Sequence, residues 1–253
     1  MHRIDRLCRN RLPRVSAICS NRSEQGAWRK FAQAMVEQQL RKRDITDERV
    51  LRAMSAVPRH RFIPEDQALQ PANAYEDRAL PIGHGQTISQ PYIVALMTSL
   101  LSVEAGQSVL EIGTGCGYQA AILAEMGAEV VSVERCEALA PRAMARLRAL
   151  GYGDRVRVVV ADGTLGHPPQ APYDRIIVTA GAPRLPKALA GQLKPGGRMV
   201  IPIGDRRNQR LHLFQEHQGG LLDTPMLPCR FVPLIGVDGW SDQQIADESS
   251  QSK

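Results

Sequence analysis

Apolar and polar positions divide the chain into two textures. Up to about residue 103 the apolar residues recur at helical spacing, with Phe31, Met35, Val36 and Leu40 on or near one face of residues 28–42 (WRKFAQAMVEQQLRK). A second helix is predicted through 47–54, with Thr46 as its cap. Pro58, Pro64 and Pro71 mark a loop-rich connection to Tyr75-Glu76-Asp77, and Pro91 is placed to open a helix over 92–101. From Ser108 onward β-branched runs take over: SVLEI (108–112), EVVSVE (129–134), VRVVVA (156–161), DRIIVTA (174–180) and RMVIPI (198–203). Helical stretches near 117–126 and 136–150 separate the first three. Such strands with helical crossovers predict an α/β fold with a doubly wound, mostly parallel sheet. Lys194-Pro195-Gly196-Gly197 reads as a turn feeding the fifth strand. The alternating RLHLFQEH (210–217) predicts a final antiparallel pair with a strand near 229–235. The expected organisation is a disordered basic extension (1–30), one domain over 31–240 and a polar tail (241–253). Within the domain, 31–103 is the helical and loop-rich part and 104–240 the sheet.

Composition narrows the function classes. At 253 residues with 43% apolar and 23% charged side chains, the chain can bury a sizeable core. An aromatic content of 4% argues against a surface for stacking single-stranded bases. The net charge of +6 is held entirely by residues 1–30, with eight basic side chains against two acids, while residues 31–253 balance at 24 against 24. The folded part therefore has no excess suggesting a nucleic-acid stripe. Five cysteines (Cys8, Cys19, Cys116, Cys136, Cys229) are odd in number and lack C-x-x-C spacing, so neither a disulfide framework nor a zinc site is expected, and a reducing compartment, the cytoplasm, fits. The longest apolar run, 92–101, is about half of what spans a bilayer, and no membrane partner is expected. Residues 1–23 lack an apolar signal region but are Arg-rich and acid-poor. A transit peptide stays formally open there. A disordered extension, or a start upstream of the true one at Met35, is the blander reading.

Two segments carry chemistry. Val109–Tyr118 (VLEIGTGCGY) runs a strand into a glycine-rich turn that opens a helix, where backbone can approach a ligand closely. Glu134 closes the next strand 21 residues after Gly113, placed to accept both hydroxyls of a ribose. Asp162-Gly163 after the third strand offers a polar point for an adenine amino group. A dinucleotide fingerprint requires glycine where Tyr118 stands, which disfavours an NAD-dependent oxidoreductase. The pattern is instead E-x-G-x-G-x-G, and Glu111 ahead of the glycines suits a cofactor carrying an ammonium group. S-adenosyl-L-methionine (SAM) has that ammonium, a ribose and an adenine. A glycine turn that binds nothing, or a non-catalytic nucleotide-binding module, stays open at this point.

The second segment is Gly83–Pro91 (GHGQTISQP). It sets Gln86, Thr87 and Ser89 in series before an apolar helix, donors suited to a carboxylate. No G-x-S-x-G elbow surrounds Ser89, so a covalent serine nucleophile is not expected, while a helix-cap role stays open. His84 reads as a turn residue rather than a base. A metal site would need more ligands.

Together with Glu134-Arg135, VPRHRFIP (57–64), AYED (74–77), ALPIGHGQTISQP (79–91), LKPGGRMVIPIG (193–204) and RFVPLIG (230–236), these motifs resemble the protein-L-isoaspartate (D-aspartate) O-methyltransferase family. The resemblance spans Met35 to Gly236, about four fifths of the chain. The glycine motif is common to many SAM-dependent methyltransferases; GQTISQP is far more specific. The resemblance implies methyl transfer from SAM to the free α-carboxylate of L-isoaspartyl, and D-aspartyl, residues in damaged proteins, with no metal, no nucleic acid and a monomer favoured. It implies Ser89 at the catalytic site. The residues themselves set Gln86 and Thr87 beside it on the substrate, and Arg230, in RFVPL, reads either as facing the substrate carboxylate or as an ordinary surface arginine. Glu111, Gly113, Thr114, Gly115 and Gly117 would surround the methionine half of SAM, Glu134 the ribose, and Asp162 with Gly163 the adenine side. An α-carboxyl titrates at about 3.3–3.7, so the acceptor is ionised near neutral pH and needs no general base. The rival reading is a SAM-dependent methyltransferase acting on nucleic acid or a small molecule. Against it, Val178–Pro183 (VTAGAP) stands where base-amine methyltransferases carry Asn/Asp-Pro-Pro-aromatic.

Overall fold

A computed structural model describes residues 24–64 and 71–245. Most of the basic extension and the end of the polar tail lie outside the described residues. Helix α1 (Glu24–Met35) begins inside the stretch assigned to the extension and continues as a π-wound segment, Val36–Arg41, burying Ala32, Met35, Val36 and Leu40. Helix α2 (Glu48–Ala56) is capped one residue later than expected. The Asp47 carboxylate, not Thr46, accepts the Arg49 N–H at 2.9 Å. Helix α3 (Pro91–Leu101) starts on proline and is stopped by Ser102 in the left-handed region. It is buried along nearly its whole length, so it sits as a central prop rather than on the surface.

Ahead of α3 lies a short antiparallel hairpin absent from the sequence expectation, β1 (Leu80–Gly83) and β2 (Gln86–Ile88). Its turn places His84 (φ 52°) and Gly85 (φ 68°) both at positive φ, the backbone of a tight primed turn.

The main sheet has seven strands: β3 (Ser108–Ile112), β4 (Glu129–Glu134), β5 (Val156–Val160), β6 (Tyr173–Val178), β7 (Leu193–Gly204), β8 (Gln209–His217) and β9 (Gly220–Cys229). Their order is β5-β4-β3-β6-β7-β8-β9, parallel from β5 to β7 and antiparallel across β7-β8-β9. The final pairing uses β9, so the strand expected near 229–235 is a correction. β8 turns back directly at Gln218-Gly219, both at positive φ, and leaves 230–235 free for another role. Lys194–Gly197 is likewise not a turn before the strand but a bulge inside it: Tyr173 pairs with Leu193, and Arg175 next with Arg198. Helices α4 (Tyr118–Glu125) and α5 (Ala140–Ala149) cross over between β3, β4 and β5. One sheet face (Val109, Val130, Ile177, Val200) packs into a core with the N-terminal helices, α3 and α4. The other (Leu110, Ile112, Val133, Ile176, Val178) packs with Leu189 of the short α6 (Lys187–Ala190) and with Leu234.

Candidate active site

From β3 the chain runs outward to β4 and β5, then returns to place β6 on the other side of β3. Loops leaving β3 and β6 diverge there, and this switch point opens a crevice at the carboxyl ends of the strands. A cleft of about 680 Å³ occupies it, lined among others by Gly113, Gly115, Glu134, Gly163, Thr179 and the hairpin residue Gln86. Val232 to Ile235 close one side of this cleft, the segment freed by the early end of β9.

The glycine turn earns two of its glycines by close approach. Gly113 has φ 96°, and a Cβ there would stand 2.5 Å from Thr179 Oγ1. Gly115 has φ 53°, and its would-be Cβ meets Ile82 of β1 at 3.3 Å, so the hairpin rests on the turn. Gly117 packs instead against Leu147 and Ala143 of α5 and does not line the cleft. Glu134 bridges the turn: Oε2 accepts the Gly115 N–H at 2.7 Å and Oε1 the Cys136 N–H at 2.8 Å. Each carboxylate oxygen keeps a free lone pair, so the group can still accept two ribose hydroxyls. The residues present therefore fit a nucleoside with glycines at its flank.

Besides Gly117, three residues expected at the cofactor sit otherwise than the spacing suggested. Glu111 is fully buried and absent from the cleft wall. Its carboxyl is hydrogen-bonded to Ser132, which in turn meets Thr114 Oγ1 at 2.5 Å, and its Oε1 has no partner among the described residues. Burial pushes Glu111 up to about 8, only partly opposed by the Ser132 bond, which favours the neutral acid in the fold. Thr114 is turned inward to this string. Asp162 is engaged by protein and does not line the cleft: Oδ1 accepts from the Thr164 N–H and hydroxyl, and Oδ2 from the Val237 N–H at 2.8 Å. Only its neighbour Gly163 lines the cleft.

A second cleft of about 820 Å³ adjoins the first, lined by Thr87, Ser89, Arg43, Tyr92, Arg230 and Phe231 among others. A narrow one of about 420 Å³ joins Ser89 and Thr87 to Gly113, Thr114 and Tyr118. The Ser89 and Thr87 hydroxyls form no hydrogen bond among the described residues, and neither does the exposed Arg230 guanidinium. Ser89 does not cap α3, whose N-cap residue is Gln90 without a side-chain bond. Instead Asp77 accepts the Tyr92 N–H at 2.9 Å and pairs with Arg43 at 2.6 Å. Gln86 lies on the first cleft, not on the acceptor side. His84 is exposed at the hairpin tip, away from all three clefts. Thr179, outside the expected set, borders all three, its hydroxyl donating to the carbonyls of Gly113 (2.7 Å) and Ile112 (3.0 Å). Its place just past β6, at the switch point, was the signal that could have found it.

Among the described residues no group of three or more metal-ligating side chains converges, and no helix is long and apolar enough to cross a membrane. The family model for protein-L-isoaspartate(D-aspartate) O-methyltransferase matches residues 30–239. The chain is 52% identical over 215 residues to a protein-L-isoaspartate O-methyltransferase of Methanoculleus marisnigri, covering 85% of this chain and 96% of the relative. It is also 52% identical over 213 residues to protein-L-isoaspartate O-methyltransferase 1 of Syntrophobacter fumaroxidans, covering 84% and 98%. A solved protein-L-isoaspartate O-methyltransferase superposes with a TM-score of 0.74 at 31% identity, over 83% of this chain and 67% of that one. Another, named as the Plasmodium falciparum enzyme in complex with S-adenosyl-L-homocysteine, shares the fold at TM-score 0.70 and 24% identity, over 81% and 98%.

Proposed function

The chain belongs to the protein-L-isoaspartate(D-aspartate) O-methyltransferase family, and on that premise we propose that its two adjoining clefts hold SAM and an isoaspartyl carboxylate on either side of Thr87 and Ser89. The enzyme methylates the free α-carboxylate of L-isoaspartyl residues in damaged proteins, the step that begins their return to normal aspartyl. When bound, SAM supplies a methyl group on a sulfonium. Glu134 holds the ribose, Gly113 and Gly115 let the backbone pass close to the methionine half, and Gly163 flanks the adenine. On the acceptor side the carboxylate is anionic already, so the protein's task is alignment and not proton removal. The single observation that carries this reading is the pair of unspent hydroxyls, Thr87 and Ser89, where the clefts meet. The free guanidinium of Arg230 at the rim supports an anionic guest. The charge balance of residues 31–253 supports protein rather than nucleic acid as substrate, and we place the enzyme in the cytoplasm as a monomer. Residues 31–240 act as one domain, a reading supported by the core shared between the N-terminal helices and the sheet.

The deciding assay offers labelled SAM with matched peptides containing L-isoaspartate or normal aspartate. Label is expected in the isoaspartyl peptide only; equal labelling of both, or of neither, would sink the reading. Ser89→Ala is expected to lower turnover by up to ~10²-fold, as loss of a preorganised donor does, and to leave SAM affinity nearly intact. Wild-type turnover in that variant would remove Ser89 from the chemistry.

A further inference from the structure

Arg59 is 0% exposed, yet no carboxylate pairs with it among the described residues. Its hydrogen bonds go to carbonyl oxygens: Nε to Ala74 at 2.7 Å, and Nη2 to Ser89 at 2.7 Å and, more weakly, to Arg78 at 3.5 Å. The guanidinium lies over the Tyr118 ring, 4.9 Å from its centre, and Nη1 has no partner. Burial holds its pKa down, but a guanidinium remains charged. Leaving a buried cation without a counter-ion is costly and rarely retained for stability alone. Its location gives the reason. Two of the residues it touches, Ser89 through its backbone carbonyl and Tyr118 through its ring, line the narrow cleft that joins the two larger ones.

We infer that Arg59 is a positioning residue for methyl transfer, fixing the Ser89 backbone and hence its hydroxyl, and that the acceptor carboxylate is the counter-ion its buried charge lacks. The inference rests on the carboxyl-methylation reading above. It adds a specificity: the site prefers an anionic α-carboxylate to a neutral group of the same shape because of a charge behind Ser89.

The test uses the full chain with Arg59→Lys, which keeps the charge with fewer donors in a different geometry, and Arg59→Gln, which keeps donors without charge. Readouts are SAM affinity by calorimetry, steady-state kinetics on an isoaspartyl peptide, and competition by the same peptide with its α-carboxylate replaced by a carboxamide. In Arg59→Gln, kcat/KM for the peptide is expected to fall about 10²-fold, the scale of a displaced reacting group, with SAM affinity held within about twofold. The wild type should bind the carboxylate over the carboxamide, Arg59→Gln should lose that preference and Arg59→Lys should keep part of it. A residue that only supports the fold would lower the melting temperature and leave the preference intact, which would overturn the inference. So would a wild type that binds both peptides equally, even if neither variant folds. Failure of the wild type to methylate any isoaspartyl peptide would instead sink the reading on which the inference rests.

Discussion

Glu134→Ala is expected to weaken SAM binding by about 10²–10³-fold, because it removes four hydrogen bonds to one carboxylate. Two are present in the protein itself, from the Gly115 and Cys136 N–H groups, and two are those we propose from the ribose hydroxyls. Hydrogen bonds to a charged acceptor contribute about 1.5–3 kcal/mol each, and the orphaned N–H groups can partly turn to water in an open cleft. The net loss on binding is then roughly 3–4 kcal/mol, which gives that fold-change. Glu134→Gln keeps the shape but turns an amide NH₂ toward one of the two backbone donors, so an intermediate loss is expected. Calorimetric titration with SAM checks both. An alanine variant with wild-type affinity would show that the ribose is held elsewhere.

The second large effect concerns stability. Glu111 titrates near 4.5 in an unfolded chain and at about 8 in the fold. Between those values the folded protein keeps a proton that the unfolded one has lost, so stability falls as pH rises through this window and levels off above it. Each pH unit of difference corresponds to about 1.4 kcal/mol, so the penalty by pH 8 is on the order of 4 kcal/mol. Glu111→Gln has no proton to lose and can keep the contact with Ser132. It is expected to melt on the order of 10 °C above the wild type at pH 8, with the gap closing toward pH 5. SAM affinity should be unchanged, since the side chain does not reach the cleft. A pH-independent gap, or loss of SAM binding in this variant, would restore the sequence-based view of Glu111 as the ammonium's partner.

That case shows how sequence and structure divided the work. The strands were legible because buried parallel strands have no polar face to blur them: SVLEI and EVVSVE coincide with β3 and β4. The glycine turn and Glu134 followed from strand ends, which fix where side chains can meet a ligand. Which way a side chain points is a finer matter. Glu111 and Ile112 are neighbours, yet alternation sends Glu111 into the core with Ser132 while Ile112 lines the cleft. Asp162 was legible as a polar strand end, but not its capture by a segment 75 residues later. The hairpin β1–β2 is too short for a periodic signal, with strands of four and three residues. Arg59 stood within the quoted VPRHRFIP motif, but its burial was not legible, because a buried arginine follows no pattern of apolar spacing.

The segment after the last strand carries a practical consequence. Gly181 donates its N–H to the Val232 carbonyl and accepts from the Leu234 N–H, both at 2.8 Å, while Trp240 Nε1 bonds the Gly181 carbonyl at 3.0 Å. With the Asp162 clamp on Val237, these bonds hold one wall of the cofactor cleft in place. A recombinant fragment cut at Cys229 would retain the nine strands of the described residues but lose that wall together with the buried Leu234, and is expected to bind SAM more weakly than the full chain. For truncations, fusions or split reporters of this enzyme, the usable boundary lies beyond Trp240, eleven residues past the point where the sheet ends.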